Sequence, residues 1–148
     1  MPSQQLPILT GILIASALAA SASVWSAQVA SPQAATRTYQ QNYKDMVLAS
    51  CIASAYRNEQ KAAVDAGSSV SALRDWTLYD LEKAPDAIKR LVDSYLARNY
   101  HNPLVEPEVS GVRFDLLKCL DLYHSEELEE QAKRLVINPE HTYRQDNP

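Results

Sequence analysis

Cys119 and His124 are the two side chains whose types and spacing come nearest to a catalytic pair, since they stand five positions apart. A cysteine hydrolase needs a thiolate held beside an imidazole that takes its proton. Cys119, however, falls on an apolar stripe, where a thiolate would be poorly solvated and the thiol would stay protonated. The pattern favours a structural cysteine, and we predict that the chain is not an enzyme.

His124 and Glu127 also have the i, i+3 spacing that places two metal ligands on one face of a helix. No second histidine stands at helical spacing from them, and no further ligand set is evident nearby. We therefore predict no metal and no cofactor. The pattern indicates a polar junction between two helices, with Ser125 as the N-cap of the second. The helix that Ser125 caps is predicted to have a solvent-exposed face with four carboxylates, Glu126, Glu127, Glu129 and Glu130.

The composition of the whole chain excludes several classes of function. Its 148 residues include 46% hydrophobic residues, enough for one domain with a real core. The formal net charge of -4 argues against a nucleic-acid binder, which would show a basic face. The chain has only 3 glycines and neither of the usual glycine-rich phosphate-binding motifs, so most nucleotide-cofactor enzymes are excluded.

The N-terminal segment carries no charge before Arg37. An apolar stretch over residues 6–18 runs into Ala20-Ser21-Ala22, which predicts a secretory signal peptide over 1–22 and a mature start near Ser23. The first five residues lack Lys and Arg, so an uncleaved membrane anchor remains the alternative. After cleavage we expect no membrane association, and residues 23–38 are predicted to form a linker.

Export changes what the two cysteines predict. An even number of cysteines in an oxidising compartment favours a disulfide, and the chain has only Cys51 and Cys119. The alternative is that both are small, buried, free thiols. Each lies on the apolar stripe of a well-patterned predicted helix, so a bond between them would join two helices across the core. We therefore predict the bond.

Helical periodicity dominates the rest of the sequence, and it predicts a compact, single-domain, all-α bundle of about five helices over residues 39–136. The second helix is the weakest, because Gly67-Ser68-Ser69 could interrupt it. In the fourth helix the predicted core stripe includes Leu116, Cys119 and Leu120. Residues 137–148 are polar and are predicted to form a flexible tail. The first two helices are predicted over about 39–56 and 60–76, and the third begins near Pro85 and is stopped by Asn102-Pro103. The last two are predicted over about 112–123 and 125–136.

The segment 102–111 does not follow the helical pattern. Pro103 and Pro107 stiffen it, two glutamates charge it, and leucine and valine give it apolar tips. A stiff loop of this kind on a helical scaffold suits recognition of another protein, although an ordinary connector fits the composition equally well. The candidate binding residues are Leu104, Val105, Glu106, Glu108 and Ser110 of this segment, and Asp121, His124 and Glu127 of the helix junction.

The run from Leu117 to Leu128, L-K-C-L-D-L-Y-H-S-E-E-L, resembles a signature of the type VI secretion amidase immunity proteins, specifically the fourth amidase-immunity family. The resemblance extends to Asn42-Tyr43, to the segment C-I-A-S-A-Y at 51–56 and to an alanine-rich stretch at 62–66, so that it covers about 39–128. The family tends to have a shorter connection containing serine and lysine where this chain has its proline-rich acidic segment. That departure concerns the identity of the partner more than the fold.

The resemblance implies a periplasmic, all-helical homodimer that is not an enzyme. Its implied partner is a peptidoglycan amidase of the NlpC/P60 class, a papain-like Cys–His hydrolase whose substrate cleft the immunity protein occludes. An acidic protein would meet a basic amidase faster through electrostatic steering. The alternative from a different class is a periplasmic adaptor or structural protein that binds an endogenous envelope partner.

Overall fold

The computed structural model describes residues 32–101, 103–104 and 111–148. The predicted signal peptide (1–22), the first part of the predicted linker (23–31), Asn102 and the segment 105–110 lie outside the described residues. Within these described ranges, a short 3-10 helix, Gln33–Thr36, precedes six α-helices. These are α1 (Tyr39–Ala55), α2 (Gln60–Asp75), α3 (Ala84–Leu96), α4 (Asp115–Tyr123), α5 (Glu126–Leu135) and α6 (Tyr143–Asp146).

The all-α prediction is confirmed. In the described ranges the only β-type pairings are two isolated bridges, Thr38 with Thr142 and Tyr79 with Val136. No described helix is both long enough and apolar enough to cross a bilayer.

α2 continues through Gly67 without interruption, although the sequence had identified this glycine as a point where the helix could break. Three serines of this helix donate their hydroxyl hydrogen bonds to the carbonyl four residues earlier, so each hydroxyl finds its partner within the helix. Gly67 itself packs against nothing, because a Cβ at this position would meet no atom within 4 Å. The glycine therefore costs helix propensity but creates no defect in the packing.

α1 is the centre of the core and contacts α2, α3, α4 and α5. Its buried stripe includes Tyr43, Met46 and Val47, which repeat at the spacing of one helix face. Leu122 of α4 and Leu128 of α5 close over that stripe, and both are completely buried. Each buried aliphatic side chain of this size stabilises the fold by about 1.5–3 kcal/mol.

The predicted disulfide is confirmed. The Cys51 and Cys119 sulfurs lie 2.01 Å apart, and the two Cα atoms are separated by 5.6 Å. Both residues are fully buried, so the bond joins α1 to α4 inside the core.

The face that α4 turns to the core differs from the predicted stripe. Cys119 and Leu122 point inward as expected, but Leu116 and Leu120 are 46% and 39% exposed. The disulfide fixes the rotation of the helix about its axis, and the position that joins Cys119 inside is Lys118, only 3% exposed. The helical pattern alone did not distinguish this rotation from the predicted one.

The end of the chain packs against the start of α1 instead of forming a flexible tail. The backbone N–H groups of Tyr39 and Gln40 donate to the carbonyls of His141 (2.8 Å) and Pro139 (3.0 Å). These are donors of the first helical turn, which have no partner inside a helix. The Tyr39 hydroxyl also donates to Asp146 of α6 at 3.0 Å.

The described part of the predicted linker is also packed. Ala34 is 2% exposed, and its carbonyl accepts a 2.7 Å hydrogen bond from the side-chain amide of buried Asn42. The same amide donates to the carbonyl of Trp76 at 2.9 Å, at the end of α2. Asn42 thereby attaches the residues before α1 to the α1–α2 pair, and the packed unit begins ahead of residue 39.

Candidate functional site

The predicted junction between the fourth and fifth helices exists, and Ser125 makes it. Its Oγ accepts from the N–H of Leu128 at 3.2 Å, which caps α5, and donates to the carbonyl of Leu122 at 2.6 Å, near the end of α4. One side chain therefore joins both helix ends. We call the region around this turn the junction surface. Its exposed residues are Arg98, Asp121, His124 and Glu127, and it also includes the partly exposed Tyr100 and the buried Tyr95.

Asp121 is exposed on α4 and is already engaged by a tyrosine. The hydroxyl of Tyr100 donates to its carboxylate at 2.5 Å. Hydrogen bonding to this carboxylate, followed by burial, raises the pKa of Tyr100, so the phenol stays protonated as the donor. Asp121 thus holds Tyr100, which stands two positions before the segment 102–111.

Glu127 has a tyrosine and an arginine as its partners. The Tyr95 hydroxyl donates to its carboxylate at 3.1 Å, and Arg98 Nη2 lies 4.0 Å away. The Arg98 guanidinium stacks on the Tyr95 ring with 3.4 Å between its central carbon and the ring centroid. The backbone N–H of Glu127 itself, then the Tyr95 hydroxyl, lower the pKa of the Glu127 carboxyl. Its negative charge is therefore well stabilised at the start of α5.

The buried Lys118 lies next to Tyr100 of the junction surface. Its Nζ donates to the carbonyl of Leu96 at 3.2 Å and to Asp115 at 3.0 Å, and it lies 5.9 Å from the centroid of the Tyr100 ring. The Leu96 carbonyl belongs to the last turn of α3, where backbone acceptors lack helical partners. A buried, paired lysine of this kind fixes the end of α3 against α4. The helical spacing of Asp115, Lys118 and Leu122 carried a signal for this buried position, although sequence reasoning missed it.

His124 is exposed next to the junction and faces a different set of residues. Its ring packs edge-on against Tyr123, with 5.1 Å between the ring centroids. The Tyr123 hydroxyl donates to Asp45 at 3.0 Å and accepts from the side-chain amide of Gln41 at 2.6 Å. Burial, followed by the hydrogen bond to Asp45, raises the pKa of Tyr123. The described structure shows no hydrogen bond that links His124 to Asp121 or Glu127.

The segment predicted to recognise a partner is described only at its edges. Leu104 is 84% exposed, while Val105, Glu106, Glu108 and Ser110 lie outside the described residues. On the return side, Gly111 and Phe114 both have positive φ angles, of 76° and 53°. Glycine adopts this conformation freely, whereas it is strained for a phenylalanine. Phe114 stands immediately before α4, so this strained turn sets the direction in which the chain enters the helix.

α4 presents an exposed apolar surface beside the junction surface. Leu116 and Leu117 are each 46% exposed and Leu120 is 39% exposed. We call these three side chains the leucine face. Clusters of exposed large apolar side chains mark interaction sites more often than isolated ones do.

The arrangement does not support a Cys119–His124 hydrolase. A sulfur in a disulfide cannot act as a thiolate nucleophile, and Cys119 is bonded and completely buried. Within the described ranges, no three His, Cys, Asp or Glu side chains are grouped closely enough to hold a metal ion. The exposed side chains of the junction surface instead offer charge and hydrogen-bonding groups to another molecule.

Comparison with known proteins identifies a family and a similar solved structure. The sequence profile of the family described as type VI secretion system amidase immunity protein matches residues 41–132. A solved structure from work on new type VI-secreted toxins and self-resistance proteins in Serratia marcescens is similar over 82% of this chain and 95% of that chain, with 30% sequence identity and a TM-score of 0.72. No curated protein matches the chain.

Proposed function

The chain belongs to the family of type VI secretion system amidase immunity proteins, and we propose that it binds a peptidoglycan amidase in the periplasm and covers the amidase's substrate cleft. The family match over residues 41–132 is the observation that carries this proposal. The amidase proposed as partner is a papain-like Cys–His hydrolase of the NlpC/P60 class, and protection follows because its cleft is blocked.

The disulfide supports action in the periplasm. Disulfides form and persist in oxidising compartments, and the Cys51–Cys119 bond lies in the core where it joins two helices. The proposed signal peptide over residues 1–22 gives the route to that compartment. A cell-wall amidase also acts there, so inhibitor and enzyme would meet where the damage occurs.

The inhibitory element in this proposal is the segment 102–111, supported by the junction surface. A papain-like cleft is shaped for an extended peptide, so a narrow, proline-stiffened segment can enter it with little loss of conformational entropy. Leu104 and Val105 would fill an apolar subsite, while Glu106 and Glu108 would pair with cationic groups at the rim and Ser110 would add a hydrogen bond.

Asp121 and Glu127 have a different role in this proposal from that of the segment. Because the carboxylates of Asp121 and Glu127 accept hydrogen bonds from Tyr100 and Tyr95, we assign them to positioning the base of the segment. Of the three junction residues predicted from the sequence, Asp121, His124 and Glu127, the exposed His124 is best placed to touch the amidase directly.

Self-association as a homodimer is assigned to the leucine face. A dimer with twofold symmetry needs one patch that matches itself, and an exposed apolar helix face meets that need. Replacing Leu116 and Leu120 together by aspartate should give a monomer by sedimentation at micromolar concentration. A dimer that survives this change would place the interface elsewhere.

The proposal is tested by lysis of cells that export a candidate amidase of the NlpC/P60 class, with and without this protein. The wild-type protein should prevent lysis, and a variant in which Leu104–Glu108 are replaced by glycine and serine should not, although it melts at the same temperature. The rival element is the junction surface. If the loop variant protects fully and an Asp121→Ala, His124→Ala double variant does not, the junction is the inhibitory element.

A further inference from the structure

A groove opens between α1, α2 and α3, and the described residues of α4 and α5 take no part in it. Its volume is about 230 Å³. The floor is apolar, because Met46 and Val92 are almost fully buried there, and Val70 and Ile88 form its sides. Apolar surface of this kind releases water favourably when a partner covers it.

The mouth of the groove carries a positive charge without a counter-charge. Arg74, in the last turn of α2, lines the groove, and its side chain makes no hydrogen bond or ion pair within the described part of the chain. The neighbouring Lys89 is different, because its Nζ lies 2.5 Å from the Asp93 carboxylate. The Ser50 hydroxyl is also occupied, since it donates to the carbonyl of Met46 at 2.9 Å. Arg74 is therefore the positively charged lining residue that has no carboxylate partner within the described part of the chain.

We propose that this groove is a second protein-binding site, which takes one large apolar side chain from a partner segment together with a carboxylate adjacent to it in sequence. The volume favours a single side chain, because pockets for whole small molecules usually measure roughly 300–1,000 Å³ and enclose most of the ligand. The carboxylate is favoured by Arg74, whose planar guanidinium can bind it through two parallel hydrogen bonds.

This site goes beyond neutralisation of the amidase. None of the junction-surface residues and none of the leucine face lines the groove, so the groove shares no side chain with those surfaces. The occupant is an acidic, apolar protein segment, and it complements the groove through the combination of an apolar floor with one unpaired arginine at the rim.

The test uses the protein purified from the periplasm with its disulfide intact, labelled with ¹⁵N and titrated with short capped peptides. The probe is acetyl-Trp-Glu-amide, and the matched probes are acetyl-Trp-Lys-amide and acetyl-Ser-Glu-amide. We expect saturable shifts at the amides of Val70, Ile88 and Val92 with the first probe. Acetyl-Trp-Lys-amide should bind at least about fivefold more weakly, and acetyl-Ser-Glu-amide should leave these amides unchanged.

Two exposed arginines provide the matched pair of variants. Arg74→Glu should reverse the preference, so that acetyl-Trp-Lys-amide binds more tightly than acetyl-Trp-Glu-amide. Arg57→Glu should leave the preference of the wild type intact, because Arg57 does not line the groove. Thermal melting of both variants checks that the fold is kept, and a third variant, Val70→Trp, should abolish the shifts with both tryptophan peptides by filling the groove.

Three results would overturn the proposal. The first is equal binding of the acidic and basic tryptophan peptides, which would remove the role of Arg74. The second is an unchanged preference in Arg74→Glu. The third is that dilution of the protein alone moves the same amides as the peptide does, because the occupant would then be a second copy of this chain.

Discussion

The Tyr100 hydroxyl donates a hydrogen bond to the Asp121 carboxylate across 2.5 Å, and this bond connects the chain after α3 to the exposed side of α4. The two residues are 21 positions apart, so the bond spans the base of the segment 102–111. Lys118 lies beneath the same tyrosine and holds the end of α3. The start of the proposed inhibitory segment is thereby held by one exposed and one buried polar group.

Tyr100→Phe should weaken amidase binding without unfolding the protein. The change removes one hydrogen bond to a charged acceptor, so the segment loses part of its preorganisation and binding falls by about 2- to 10-fold. The free energy of unfolding should change by less than about 0.5 kcal/mol, as for most surface substitutions. Titration calorimetry and urea unfolding measure the two quantities. Tyr56→Phe is the matched control, and equal affinities for both variants would show that Tyr100 does not position the segment.

Removing residues 140–148 should destabilise the beginning of α1. The truncation deletes the His141 carbonyl that accepts from Tyr39 and the Asp146 carboxylate that accepts from its hydroxyl. We expect a loss of about 1–3 kcal/mol in unfolding free energy, with faster hydrogen exchange at the first turn of α1. Removing only Asn147 and Pro148 is the control and should change neither quantity. Unchanged exchange in the longer truncation would mean that the tail contacts contribute nothing to this helix.

Breaking the disulfide should lower stability substantially. The bond closes a loop with a sequence separation of 68, for which the chain-entropy account gives a stabilisation of about 4 kcal/mol. Urea unfolding of a Cys51→Ala, Cys119→Ala variant should show that loss, and a reductant should destabilise the wild type by a similar amount. The reductant should have no effect on the variant, since the chain contains no other cysteine. A reductant that destabilises both proteins equally would contradict this account.

The sequence predicted the core more completely than it predicted the polar contacts. The stripe of α1, the cap at Ser125 and the pairing of Cys51 with Cys119 were predicted because each depends on periodicity, local capping chemistry or the number of cysteines. The rotation of α4 was predicted incorrectly, since leucines at Leu116 and Leu120 satisfy a helical stripe whether they face the core or a partner. Only tertiary contacts distinguish those two cases.

The contacts of the tail and of Asp121 could not be predicted for a related reason. The bond from Tyr39 to Asp146 joins residues 107 positions apart, and neither residue has a local pattern that signals its partner. For Asp121, the type and exposure suggested a binding residue, but its engagement by Tyr100 depends on how the end of α3 returns over α4. Polar contacts between distant segments are set by the packing of the helices, which the hydrophobic pattern fixes only approximately.

The ion pair between Lys44 and Glu129 should make part of the free energy of unfolding depend on pH. The hydrogen bond from Lys44, at 3.1 Å, lowers the pKa of the Glu129 carboxyl below its ordinary value of 4.5. The contribution of this pair is therefore complete above pH 4.5 and is lost as the pH falls through the lower, folded-state pKa. Because Glu129 is partly exposed and screened by solvent, the effect should be less than about 1 kcal/mol.

Urea midpoints at pH 7 and pH 3 measure this effect. Glu129→Gln should lower the midpoint at pH 7 and lower it less at pH 3, so its pH dependence is weaker than that of the wild type. Glu82→Gln, an exposed change on the loop before α3, serves as the control and should behave as the wild type does. A Glu129→Gln protein that is destabilised equally at both pH values would show that the ion pair is not the cause.

Access to the catalytic cysteine of the candidate amidase tests the central claim most directly. Its alkylation by iodoacetamide is followed by mass spectrometry as this protein is added, and hydrolysis of isolated cell-wall sacculi is measured on the same samples. If the cleft is covered, both rates fall together and in proportion to the fraction of amidase bound. Alkylation that proceeds at the rate of the free enzyme, whether or not hydrolysis stops, would contradict neutralisation by occlusion of the cleft.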